Sequence, residues 1–263
     1  MSAGFVFKPR MVGFVCNWCC YGGADLCGVS RFQYPPYIRL IRVMCSGRVD
    51  PAHVLRAFSN RADGVFIGGC WPGECHYNTE GNYNALGMVH LFKKLLKHIG
   101  VNPERLLLEW VSASEGIRFA NVMNEFSAKI ERLGPFCVGE GIDEKVVQFK
   151  LEALNNILPY IRLVERERLR IRLETDKEYN EFFENDDVNR IFHEMILDKL
   201  TLSQILLLLR EGPLTSEEIS ERLGLSTSEV SRHMNSSSRQ GLIRFNESGK
   251  AIFPFGARTQ ARV

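Results

Sequence analysis

Three apolar, β-branched runs near the start of the chain each end in a cysteine. "MVGFVC" closes on Cys16, "IRLIRVMC" on Cys45 and "DGVFIGGC" on Cys70, and a fourth run, "RLLLEWVS", follows. Helical patterns separate them. "DPAHVLRAFSNRA" opens with Asp50 as an N-cap and Pro51 at the first helical position, and Val54, Leu55 and Phe58 share one face. "NALGMVHLFKKLLKHIG" sets Leu86, Val89, Phe92, Leu96 and Ile99 on one stripe and stops at Gly100. Ser112 and Glu115 have capping-box spacing ahead of "GIRFANVMNEFSAKIERLG". Strand and helix in alternation require crossover connections, and these build a parallel sheet with helices on its faces.

In such a sheet the carboxyl ends of all strands lie on one edge, where ligands bind. Cys16, Cys45 and Cys70 therefore meet at one rim, joined by Cys19 in a C-x-x-C and Cys75 in a C-x4-C. Of the eight cysteines, only Cys137 lies beyond residue 75. Gathered in this way, the thiols favour a bound group over structural disulfides. An iron–sulfur cluster takes four thiolates, and so does a structural zinc. A redox dithiol at Cys16–Cys19 is a third reading, and buried apolar filler a fourth. The dithiol reading expects a helix to open directly after the motif, whereas "CNWCCYGGADLCG" runs into glycines. Gly22, Gly23, Gly68 and Gly69 are expected to let backbone approach the site closely. His76 offers one imidazole in place of a thiolate, and Cys20, Cys27 and Cys137 are read as bystanders. Arg42, Arg48 and Arg118 are read as partners of carboxylates or loop carbonyls.

The 263 residues are 45% hydrophobic and 24% charged with a net charge of +2, as in ordinary globular proteins, so charge alone implies no nucleic-acid partner. No run approaches the ~18 apolar residues of a membrane span. "MSAGFVFKPRMVGF" lacks a secretory leader pattern, and the expected location is cytoplasmic. No phosphate-binding glycine motif, H-E-x-x-H or nucleophile–base constellation occurs, which leaves electron transfer as the chemistry.

Composition changes after Gly134-Pro135. The expected boundaries are a cysteine-bearing α/β domain at 1–138, a charged helical linker at 139–199 broken at Pro159, a winged helix-turn-helix at 200–256 and a tail at 257–263. In the last domain Gly224 is the turn, "STSEVSRHMNSSSRQG" the recognition helix and Asn246–Lys250 the wing. Val230 and Met234 are expected inward, with Ser228, Arg232, His233, Asn235, Ser236 and Arg239 outward. From Leu200 to Val263 there are eight Arg or Lys against six Asp or Glu, a net of +2, which offers little phosphate neutralisation.

Four stretches, "CNWCCYGGADLCGVSR", "QYPPYIRLIRVMCSGRVDP", "ADGVFIGGCWPGECHY" and "EWVSASEGIRF", closely resemble the delta subunit of the methyl-viologen-reducing, F420-non-reducing hydrogenase. The resemblance covers about the first half of the chain, and Trp71 stands where a histidine is common. It implies a small parallel, flavodoxin-like or Rossmann-like sheet carrying one [2Fe-2S] cluster. It also implies that Cys16, Cys19, Cys45, Cys70 and Cys75 are the ligand set, with one to spare. The function it implies is that of a non-catalytic electron-transfer subunit between a hydrogenase or formate dehydrogenase and the flavoprotein subunit of heterodisulfide reductase. The aromatic loop "RFQYPPY", with Phe32, Tyr34 and Tyr37, is then the expected partner surface beside the cluster. The rival class is a redox-sensing transcription regulator that reads DNA through the C-terminal winged helix.

Overall fold

The computed structural model describes residues 7–77, 80–173 and 175–254, so residues 1–6, the end of the expected wing domain at 255–256 and the tail 257–263 lie outside it. The chain forms two compact units. One takes the chain up to Leu151 together with Glu165–Val188; the other takes Glu152–Val164 and the chain from Asn189 on. The charged helical stretch 139–199 is divided between them.

In the first unit the strands are β1 (Met11–Cys16), β2 (Ile38–Val43), β3 (Gly64–Gly69) and β4 (Leu106–Trp110), all parallel in the order β2-β1-β3-β4. Helix α1 (Cys20–Val29) carries the chain from β1 to β2, and α2 (Pro51–Ser59) carries it back across β1 to β3. Helix α3 (Gly81–Ile99) precedes β4, and α4 (Gly116–Leu133) follows it. Right-handed crossovers put α1 and α4 on one face and α2 and α3 on the other. Val15, Phe66 and Val111 pack with Phe119, Met123 and Phe126 of α4 in one buried layer, each large side chain contributing about 1.5–3 kcal/mol. Asp50 caps α2 as the sequence suggests, with His53 as its reciprocal partner. The expected box at Ser112–Glu115 is only half formed. Glu115 itself occupies the N-cap of α4, and its carboxylate accepts the Ser112 N–H at 2.7 Å and the Trp71 indole N–H at 2.8 Å.

Beyond α4 a fully buried guanidinium pins the chain. Arg105 donates to the Asp63 carbonyl at 2.9 Å and pairs with the Glu140 carboxylate, while Asp63 accepts the Phe136 N–H at 2.8 Å. Helix α5 (Glu144–Asn156) ends just before Pro159, which sits in the first turn of α6 (Leu158–Val164). Helix α7 (Asp176–Glu184) belongs to the first unit, where Tyr179 and Phe183 stack on His90 of α3 at centroid distances of 6.0 and 5.3 Å. Burial pushes the His90 imidazole down to about 4, with Lys93 and Lys94 adding to the effect.

After α8 (Asp186–Ile191), the second unit is built from α9 (Asp198–Glu211), α10 (Ser216–Leu223), α11 (Thr227–Arg239) and the hairpin β5 (Arg244–Phe245) and β6 (Ala251–Ile252). Gly224 makes the turn at φ +66°, in the left-handed region. Val230 and Met234 are buried as expected. His233 departs from the expected outward row. It is half-buried against Asp198, and burial lowers its imidazole below the usual range. No helix among the described residues is long and apolar enough to cross a membrane.

Candidate metal centre

The chain leaves β1 toward β2 on one side and reaches β3 on the other, so the carboxyl ends of β1 and β3 flank the point where the winding reverses. Cys16 ends β1 and Cys70 follows β3, and their sulfurs lie 3.5 Å apart. The backbone N–H groups of Cys19 and Cys20, at the start of α1, each donate to Cys16 Sγ at 3.4 Å. Cys45 lies two residues past β2 and caps the short turn Ser46–Arg48. Cys75 lies in the loop that leads to α3. A Cβ placed on Gly81, the first residue of that helix, would stand 2.3 Å from Cys75 Sγ and 3.1 Å from Cys45 Sγ. Cys16, Cys45, Cys70 and Cys75 are buried and Cys19 is partly exposed.

These positions polarise the thiols. The contact with the Cys70 sulfur and, against the opposing effect of burial, the N–H groups of Cys20 and Cys19 hold Cys16 down at about 6. The same contact, with burial, raises Cys70. Burial raises Cys45 and Cys19. The positive ends of α1 and α3 both face the sulfurs, which favours thiolate. Two buried polar atoms beside the site have no hydrogen-bond partner among the described residues: Ser46 Oγ, next to Cys45, and Asn82 Oδ1, in the first turn of α3. Asn82 Nδ2 holds the Cys70 and Trp71 carbonyls at 3.0 and 2.9 Å.

Five thiols, two helix amino ends and a free hydroxyl suit an iron–sulfur cluster in donor type and charge. Among the described residues, however, no group of three or more His, Cys, Asp or Glu side chains is arranged to hold a metal ion as it stands. The sulfurs form a hydrogen-bonded pair and close neighbours, not a closed polyhedron.

Several expectations change. The glycines after Cys20 do not interrupt the helix; α1 opens directly after Cys19, so the glycine argument against a dithiol motif fails. Gly22 and Gly23 face Ala113 and the Ser112 carbonyl, making room for the β4–α4 loop and not for a ligand. Gly68 makes room for Cys20, whose sulfur would be 2.2 Å from a Cβ there. The loop with Phe32, Tyr34 and Tyr37 joins the end of α1 to the start of β2. It therefore lies at the amino edge of the sheet, opposite the thiols, with Tyr34 edge-on to Phe119 and the Tyr37 carbonyl accepting the Met11 N–H. The aromatic residues beside the thiols are instead Trp18 and His76, stacked at 4.1 Å, with Tyr77 edge-on to His76. Trp18 and Tyr77 are each 42% exposed. In the sequence His76 reads only as a possible ligand and Trp18 carries no signal beyond its place between Cys16 and Cys19. Trp71 donates its indole N–H to Glu115 and lies under the Arg118 guanidinium. Arg118 also reaches the Trp110 carbonyl and Glu109, the structural role expected of it.

Residues 11–134 match the family described as methyl-viologen-reducing hydrogenase, delta subunit, and residues 201–244 match the bacterial regulatory protein, arsR family. The vhc iron-sulfur subunit of the F420-non-reducing hydrogenase of Methanococcus voltae is 52% identical over 141 residues, which is 52% of this chain and 97% of that protein. The F420-non-reducing hydrogenase iron-sulfur subunit of Archaeoglobus profundus is 52% identical over 130 residues, 49% of this chain and 94% of its own. One Methanosarcina acetivorans protein, from the ferredoxin/F(420)H(2)-dependent CoB-CoM heterodisulfide reductase, is 46% identical over 143 residues, 52% of this chain but only 18% of its own length.

Proposed function

The chain belongs to the family of the F420-non-reducing hydrogenase iron–sulfur (delta) subunits, and on that premise we propose that it is an electron-transfer subunit with one [2Fe-2S] cluster. Four of Cys16, Cys19, Cys45, Cys70 and Cys75 hold the cluster. The electrons pass between a hydrogenase or formate dehydrogenase and the flavoprotein subunit of a heterodisulfide-reductase-type complex. The observation that carries this reading is the meeting of Cys16 and Cys70 at 3.5 Å where the sheet reverses its winding, with Cys45 and Cys75 over the first residue of α3. The occurrence of a similar domain within a much longer heterodisulfide reductase chain supports that partner.

When bound, the cluster supplies one-electron chemistry. The protein's own part is to hold Cys16 as thiolate through the Cys19 and Cys20 N–H donors, to turn the helix amino ends toward the other sulfurs, to offer the Ser46 hydroxyl beside Cys45, and to shield the rim. Only Cys19, beside the exposed Trp18, reaches toward solvent. Anaerobically purified full-length protein should contain about two iron and two sulfide, with charge-transfer absorption bleached by dithionite. Colourless protein with stoichiometric zinc would overturn the reading.

The winged helix serves protein docking in this proposal. Three of its six described cations are paired within its own unit: Arg232 on Asp198 at 3.5 Å, Arg222 on Glu211 at 3.8 Å and Lys250 on Glu218 at 3.0 Å. The match to the arsR family favours the second reading, a redox-sensing regulator that binds DNA. Titrating the full chain against duplex DNA at two salt concentrations separates the two. Tight binding with a steep salt slope, lost in Arg232→Ala, would promote the regulator.

A further inference from the structure

A parallel sheet is ordinarily covered by helices on both of its faces, and here part of one face goes without. Helix α2 leaves β2 and crosses to β3, so it covers β1 and β3 but not the α2-side face of β2. Ile41, which points there, is 47% exposed. The result is a groove of about 690 Å³ along the amino half of the sheet. Its floor is apolar, with Val12, Phe14, Tyr37, Ile41 and Ala57. Its rim is basic: Lys8, Arg10, Arg39, Arg56 and Arg61 line it, and no Asp or Glu does. Arg61 is paired with Glu144 and Arg39 with the Pro36 carbonyl, but the side chains of Lys8, Arg10 and Arg56 make no ion pair among the described residues.

We propose that this groove docks an acidic amphipathic helix from a partner protein, which supplies the layer that β2 lacks. The dimensions agree: a six-residue strand runs roughly 20 Å, the length of a helix of about 13 residues. The charges agree as well, since unpaired cations around an apolar floor select an anionic rim on the occupant. The same side of the sheet already holds one such helix. Helix α7, "DKEYNEFFE", lays Tyr179 and Phe183 on His90 of α3, and its Glu184 lies near Lys94. The groove is at the amino edge, away from the thiols, so its loading can be read separately from the cluster.

The test uses the full chain, purified anaerobically, and fluorescence anisotropy. The probe is a fluorescein-labelled peptide of about four helical turns with Leu or Phe at i, i+3, i+4 and i+7 and Glu on the other face. The protein is expected to bind this peptide, and neither the version with Lys in place of Glu nor one of scrambled order. Arg10→Glu with Arg56→Glu should weaken binding by about tenfold or more, Ile41→Glu should do the same, and iron content should not change. Arg10→Gln with Arg56→Gln, a milder pair at exposed positions, should weaken it in the same direction. Failure of the acidic peptide to bind, or binding that ignores these substitutions, would overturn the proposal. So would inorganic phosphate competing fully with the peptide, which would assign the cations to a small anion. A concentration-dependent dimer abolished by Ile41→Glu would give the groove to a second copy. Binding that emerges only when residues 1–6 are removed would give it to the chain's own amino-terminal segment.

Discussion

The two units treat their polar groups in opposite ways. In the helix-turn-helix unit the devices are local and satisfied. Thr215 and Glu218 cap α10 reciprocally, Ser226 and Glu229 cap α11, and Lys250 closes the wing onto Glu218. In the sheet unit, polarity is carried into the interior. Four thiols are buried at one rim, Ser46 Oγ and Asn82 Oδ1 have no partner among the described residues, and Arg105 is wholly enclosed. Consistency between local preference and tertiary packing is what makes a sequence fold, and departures from it concentrate where function is installed. By that standard the first unit carries a site, and the second carries a surface.

The sharpest way to break this contrast is to remove a thiol. Cys45→Ser or Cys70→Ser should take iron from about two per chain to nearly none, whereas Cys20→Ser, Cys27→Ser and Cys137→Ser should retain it. Loss of iron in any of those three would redraw the site. Next in size is Arg105→Met. It strands Glu140 in the interior and should cost about 3–5 kcal/mol in urea unfolding. A cost below about 1 kcal/mol would show that the carboxylate finds water. Two glycines of α3 then test whether close approach belongs to the site alone. Gly81→Ala drives a Cβ into Cys75 Sγ and should lower iron retention, while Gly87→Ala meets nothing nearer than Tyr179 at 3.9 Å and should raise stability by about 0.5–1 kcal/mol.

The His90 contact gives a pH signature. Its folded-state pKa lies near 4, below its ordinary 6.5, so the unfolded chain binds the extra proton between those values. Stability from the α7 contact is therefore complete above about pH 6.5 and declines as pH falls toward 4. Thermal unfolding of His90→Phe should lose that part of the acid sensitivity; an unchanged pH profile would show that the imidazole is hydrated. The smallest effect belongs to the second unit. Asp198→Asn releases an exposed ion pair with Arg232 and should cost under about 1 kcal/mol. If it also creates DNA binding in the full chain, the recognition helix was restrained by Asp198, and the docking reading fails.

Much of this fold is legible in short stretches of sequence, for a local reason. The strand run that ends in Cys16, the Asp50-Pro51 helix start and the Gly224 turn are each encoded within a few residues and stand at the expected places, while β2 and β3 stop two residues short of Cys45 and one short of Cys70. The failures are of another kind. Gly22 and Gly23 look like a break, yet helix α1 passes through them; they leave room for the β4–α4 loop, a contact made with Ser112 and Ala113 far along the sequence. The "RFQYPPY" loop follows the cysteines in sequence but lies on the opposite edge, because one helical crossover reverses the chain direction.

Periodicity, caps and thiol spacing, taken alone, determined the parallel α/β class, the winged helix and the five-cysteine candidate set, since each rests on short-range stereochemistry. Only the tertiary structure decided which edge each loop occupies, that Trp18 and His76 are the rings beside the thiols, that Arg105 ties the end of the sheet unit to Glu140, and that one face of β2 lacks a helix. Those features depend on which elements the crossovers bring together, and burial there is a property of the packed neighbours, not of any one segment.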